Sequence, residues 1–182
     1  MSSFYPELDD KLIKFIDEQP IFFVASVPKN GRINLSPKGL HSLRVLSPNR
    51  VAYLNLTGSG NETSAHLLED NRMTIMFCSY TRTTNILRLY GNASEITPED
   101  AEFAKYYTMF PDYAAPRQIY ILDITSIQTS CGYGVPVMTL DHERDTLDKY
   151  MAGLGPDGVE AYKQKKNLKT IDGLRTRLPE KT

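Results

Sequence analysis

Seven short runs rich in β-branched and aromatic residues follow one another with only brief turns between them, and this succession limits the fold more than any other feature. The runs read IFFVASV, RINLSPKG, SLRVLSP, VAYLNLT, MTIMFCSY, ILRLYGNASEI and QIYILDITSIQTS. Parallel neighbours need crossovers of about a dozen residues or more, and most of these connections are shorter, so the strands pair antiparallel. Helical patterns lie at the margins: PELDDKLIKFIDEQ before the first run, Thr97 to about Met109 between the sixth and seventh, and DHERDTLDKYMAGLG and GVEAYKQKKNLK at the end. Six or seven antiparallel strands with marginal helices predict a small closed or split β-barrel carrying an α-helical C-terminal segment. At 182 residues the chain is read as one domain, with a barrel core over about 8–138 and a helical extension over about 139–182.

Charge and cysteine content narrow the function. Basic and acidic residues nearly balance, 21 against 22, which disfavours nucleic acid as a partner of the whole protein. The basic excess sits in the tail (Lys163, Lys165, Lys166, Lys169, Arg175, Arg177 and Lys181), read as a solvated helix and frayed end or as a weak anionic contact. No apolar run reaches the roughly 18 residues of a membrane span, and the N-terminus lacks a basic segment followed by an apolar one. Cys78 and Cys131 are unrelated in setting and read as free, buried thiols of a reducing compartment, hence a cytoplasmic protein. The three histidines show no ligand spacing, so no metal site is expected.

Three stretches carry candidate chemistry. LTGSGNETSAH joins an apolar strand to a helix start at Thr63 or Ser64. Its glycines and hydroxyls are read either as a phosphate-binding turn with exposed backbone N–H groups or as a polar connection with a helix cap. Ser36, Pro37, Lys38 and Gly39 interrupt a strand with a lost donor, a cation and a residue that admits close approach. Lys38 beside the loop would supply charge that the loop lacks. CGYGVPVM places Tyr133 between two glycines, suited to lie against a planar ring or simply to form a tight turn. No Ser/His/Asp or Cys/His set suggests a nucleophile, and no catalytic residue is assigned.

In this order the stretches resemble the pyridoxamine 5′-phosphate oxidase-like family of flavin-binding split barrels, over roughly residues 8 to 138. The match runs through FFVASVPKNGRINLSPKG, the polar loop opening a short helix, NRMTIMF and NILRLYGNA. The resemblance implies that FMN is bound by Ser36, Pro37, Lys38 and Gly39, and by Leu56, Thr57, Asn61, Glu62, Thr63 and Ser64. It also implies a homodimer with shared cofactor sites, in which Tyr133 of one chain, and less directly Arg88, reaches the flavin of the other. True pyridoxamine phosphate oxidases resemble R-x-V-L-L-K in the second strand and S-R-K-A at the helix start. They also end in an R-L-H-x-R pattern that this chain lacks. The implied function is therefore an FMN-dependent oxidoreductase of unassigned small-molecule substrate; a flavin, deazaflavin or haem store without turnover is the alternative.

Overall fold

A computed structural model describes residues 2–181. The seven anticipated runs form strands β2 (Phe22–Ser26), β3 (Asn34–Lys38), β4 (Leu43–Ser47), β5 (Arg50–Leu56), β6 (Arg72–Cys78), β7 (Ile86–Ile96) and β8 (Pro116–Ser130). The sequence reading missed an eighth, the three-residue β1 (Ser3–Tyr5), whose partner is the far end of β8 at Thr129 to Ile127. Three residues show too little alternation to register as a strand; only the long β8 gives them a ladder to join.

All pairings are antiparallel, in the order β3-β2-β6-β7-β8-β5-β4 with β1 on β8, and the sheet curls into a split barrel whose edges are β3 and β4. Pro37 lies on edge strand β3, where a missing N–H interrupts no interior ladder. The turn leaving β3 places Leu40 and His41 at positive φ, 60° and 51°, a conformation uncommon for residues with a Cβ.

The inward face carries the main core: Val24, Val51, Tyr53, Ile75, Phe77, Leu87, Leu89, Tyr120 and Leu122. Helix α1 (Asp10–Asp17) joins it through Leu12 and Ile16. Its N-terminus is capped by Asp9, whose carboxylate accepts from the Leu12 amide at 2.8 Å. On the outer side, Ala52, Leu54, Ile119 and Ile121 pack beneath Phe103, Tyr106 and Phe110. Helix α3 is only Phe103–Tyr107. The pattern expected from Thr97 runs through turns until Phe103, with the Thr97 amide and hydroxyl both donating to Asp100, at 2.7 and 3.0 Å. Helix α4 spans Thr146–Lys166 with a break at Gly155 (φ 66°) before Pro156, so the two helical patterns abut across a kink.

Two corrections concern the margins. Cys131 is exposed, whereas Cys78 is buried as expected. The tail beyond Lys166 is not frayed. Its Lys169 and Arg175 bridge, and its side chains lace onto the barrel end. No described helix is long and apolar enough to cross a membrane.

Candidate functional site

The LTGSGNETSAH stretch is the link between β5 and α2 (Glu62–Glu69), and its polar side chains turn inward over one end of the barrel. Thr57, Asn61, Thr63 and Ser64 are buried; Glu62 is half-buried. The helix should be capped by Asn61, yet that side chain makes no cap bond. Its carboxamide oxygen accepts from Gln118 at 2.6 Å, and its nitrogen donates to the Asn167 carbonyl at 3.4 Å. With the capping side chain diverted, the first-turn amides of α2 have no side-chain acceptor, and Glu62 is the one acid in that turn.

Two cations stand near this helix end. Lys38 points from β3 across the split and donates to Asn55 at 2.9 Å. Asn55 is the register partner of Gln118 on the neighbouring strand, but the two side chains do not bond, and the Gln118 carboxamide oxygen is buried without a partner. Burial, helped by the charge of Arg117, lowers the Lys38 pKa to about 8. Arg117, at the start of β8, is 3% exposed, and burial pushes its pKa down. One guanidinium nitrogen donates to the Gly60 carbonyl at 2.9 Å and to Gly58 at 3.5 Å; its Nε, like the Thr57 hydroxyl, is buried without a partner. Neither cation is ion-paired to a carboxylate among the described residues. Glu95 is the nearby acid. Its own burial raises its pKa, against the opposing bond from Ser64 at 2.9 Å.

The remaining site residues divide. Ser36 donates to Asn34, which in turn donates to the Thr63 hydroxyl at 3.2 Å. Thr63 also accepts from Ser26, which contacts buried His66 at 3.0 Å, so His66 is packed against a strand. Pro37 is exposed on the outer face, Leu56 packs in the outer cluster, and Gly39 borders a small open cleft with Phe22, His41 and Ser42. Tyr133 stands apart, 81% exposed on an arm anchored where Met138 donates to the Tyr80 carbonyl at 2.9 Å.

The inner face of the loop differs from the expected wall of N–H groups: it shows the carbonyls of Gly58 and Gly60 to Arg117. Neither glycine adopts a positive φ; a Cβ on Gly58 would meet nothing within 4 Å, and one on Gly60 would make only ordinary contact at 3.7 Å. Gly58→Ala should therefore shift stability by less than about 0.5 kcal/mol, about 2 °C or less in Tm by calorimetry. A larger loss would show that the loop samples a conformation reserved for glycine.

Sequence reasoning missed Arg117, Gln118, Asn55 and Asn167. Arg117 left one signal, a cation followed by an amide at the start of an otherwise apolar strand, PRQIYIL.

Comparison with known proteins bears on family and fold. The family model described as "Pyridoxamine 5′-phosphate oxidase" matches residues 8–131. The "Pyridoxamine 5′-phosphate oxidase family protein ustO" of Aspergillus flavus is 45% identical over 192 aligned positions, covering 96% of this chain and 77% of that protein. Among solved structures, HupZ from Group A Streptococcus superposes with a TM-score of 0.53 at 21% identity, over 66% of this chain and 91% of that one. A Clostridium acetobutylicum protein related to general stress protein 26 (pyridoxinephosphate oxidase family) gives 0.52 at 12% identity, over 77% and 99%. These two likenesses concern the fold.

Proposed function

Because the chain belongs to the pyridoxamine 5′-phosphate oxidase family, we propose that it is an FMN-binding oxidoreductase acting on a small molecule, in a reducing compartment such as the cytoplasm. The carrying observation is the diverted cap: Asn61 is spent on Gln118, leaving the α2 N-terminus open beside two cations without carboxylate partners. A phosphate dianion fits this set, since it accepts from helix amides and hydroxyls and balances buried positive charge. Lys38, Thr57 and the first turn of α2 at Thr63 and Ser64 would hold the phosphate, with Arg117 supplying field from below. The Ser36–Gly39 strand would face the rest of the cofactor, and the cleft beside Gly39 gives room for a reactant.

The flavin, when bound, supplies the two-electron redox chemistry. This chain's residues bind it, orient it and limit water around it. No side chain is assigned a proton transfer. The purified protein is expected to show a flavin spectrum and to bleach anaerobically with NADH or NADPH. A haem or deazaflavin spectrum, or a flavin that no reductant bleaches, overturns the reading in favour of a store.

We further propose that two copies share each site. Ile33 and Leu35 flank the outer side of β3 at 73% and 64% exposure, and the arm presents Tyr133, Val137 and Met138 to solvent, an apolar display suited to an identical partner. On this reading Tyr133, with Arg88 near the same seam, completes the site of the other copy. Mixing Lys38→Met with Tyr133→Ala protein and allowing exchange then yields heterodimers with one intact FMN site in two, because both lesions fall in the same pocket. No recovery of binding by titration places each site within one chain.

A further inference from the structure

The phosphate-side loop is gripped from two directions, and one grip lies outside the part of the chain matched by the family model, which ends at residue 131. Arg117 holds the Gly58 and Gly60 carbonyls from the barrel. Asn167, which ends α4, holds the loop from the tail. It is 0% exposed, and its side chain donates to the Gly58 carbonyl at 2.8 Å while its own carbonyl receives the Asn61 side chain at 3.4 Å and the Thr176 hydroxyl at 2.8 Å. The hairpin that follows continues the grip onto the first turn of α2. The Ile171 amide donates to the Glu62 carboxylate at 3.3 Å, and the Arg177 amide to the Ser64 hydroxyl at 3.1 Å.

The far side of the hairpin is moored independently. Asp172 accepts from the Arg32 amide at 2.7 Å and pairs with its guanidinium. Arg177 donates to the Glu95 carbonyl at 2.6 Å and to Asp100 at 2.8 Å. The loop itself has little means of self-support, with two glycines among Thr57 to Gly60 and open space around Gly58. A trans peptide points its C=O and N–H in opposite directions. Fixing the carbonyls of Gly58 and Gly60 therefore also fixes the direction of the Ser59 and Asn61 amides, away from Arg117 and Asn167.

We propose that the C-terminal hairpin, with Asn167 as its central positioning residue, is a clamp that sets the phosphate-binding end of the cofactor site. Residues 167–178 thus belong to the site although they carry no group to the cofactor. The inference rests on the reading that the α2 N-terminus receives phosphate. It assigns a task to a tail whose basic composition alone suggests a solvated end, and it explains why Asn167 and Thr176 are buried polar residues.

The test uses full-length Asn167→Ala and two readouts. Amide exchange should quicken about three- to tenfold at Thr57, whose N–H bonds the Ala115 carbonyl at the foot of the loop, and at Ile171 and Arg177, which bond the first turn of α2, with strands β6 to β8 unchanged. FMN affinity should fall by a similar factor while riboflavin, which lacks phosphate, binds as before. Uniform quickening through the core, equal losses for both ligands, or no local change overturns the clamp. If the unsubstituted protein binds no FMN, the cofactor reading fails, and the exchange result still decides whether the hairpin holds the loop. Should Asn167→Ala not fold, Thr176→Val removes the hydroxyl that steadies the Asn167 carbonyl and is judged by the same two readouts.

Discussion

Lys38→Met is expected to weaken FMN binding about ten- to a hundredfold while leaving the fold and riboflavin binding largely intact. Methionine keeps most of the apolar stem, so the packing against β5 survives and the charge alone is lost. A hydrogen bond to a charged group is worth about 1.5–3 kcal/mol, which sets the range. The pH dependence sharpens the test. Burial lowers the Lys38 pKa to about 8, with Arg117 adding to the effect, against about 10.4 in an unfolded chain. Below pH 8 the ammonium is charged in both states, and the cost of burying it is fully present. Between those values the unfolded chain holds a proton that the folded chain has released, so stability without ligand rises with pH across that window. FMN requires the charged form, and its affinity should decline as pH passes above about 8. Titrations of Lys38→Met should lose that slope. A pH profile unchanged by the substitution, or equal losses for riboflavin, would remove Lys38 from the phosphate.

A second large effect is expected far from any ligand. Gly91→Ala should cost about 3 kcal/mol or more, beyond the ordinary range for overpacking, lowering Tm by roughly 6–12 °C in a chain of this size. Strand β7 shifts register against β8 between Tyr90 and Gly91, where Tyr90 faces Ser126 and Gly91 faces Ile124, so Thr125 is the bulged residue of β8 and Gly91 lies opposite it. A Cβ there would stand 2.0 Å from the Asp123 carbonyl oxygen and 2.9 Å from its carbon. Both are backbone atoms of a strand paired on both sides, so neither can swing aside as a side-chain end would. Thermal denaturation with a drop under about 2 °C would mean that the bulge migrates instead. Bulges that bend a strand are one means by which a sheet curls toward a barrel, so this glycine ties a single residue to the overall shape.

The seven main strands were legible because most are β-rich runs set off by turn-forming residues, and because short connections leave antiparallel pairing as the open choice. The site was legible in its local half. Ser36 to Gly39 and Thr57 to Ser64 stand out as polar punctuation between apolar strands; Lys38 bonds Asn55 and Asn61 bonds Gln118, on adjacent strands. Thr97 shows the limit of such signals. Its window reads as helix to about Met109, yet turns and a bend fill 98–102 and only Phe103–Tyr107 closes into helix.

What the sequence determined by itself was therefore the seven main strands, their antiparallel sense and the presence of the first helix. These depend on periodicity and on contacts within a few residues, which any window of the chain contains. Tertiary structure alone decided that Asn61 gives its oxygen to Gln118, 57 residues away, that Arg117 lies buried under Gly58 and Gly60, and that Asn167 crosses 109 residues to hold Gly58. Such partners are chosen by where the curled sheet delivers them, because a buried donor takes whichever acceptor the packing brings within reach. The frayed tail expected from its charge became a clamp for the same reason: most of its lysines remain solvated, while an asparagine and two threonines among them, plain in any local reading, reach buried positions.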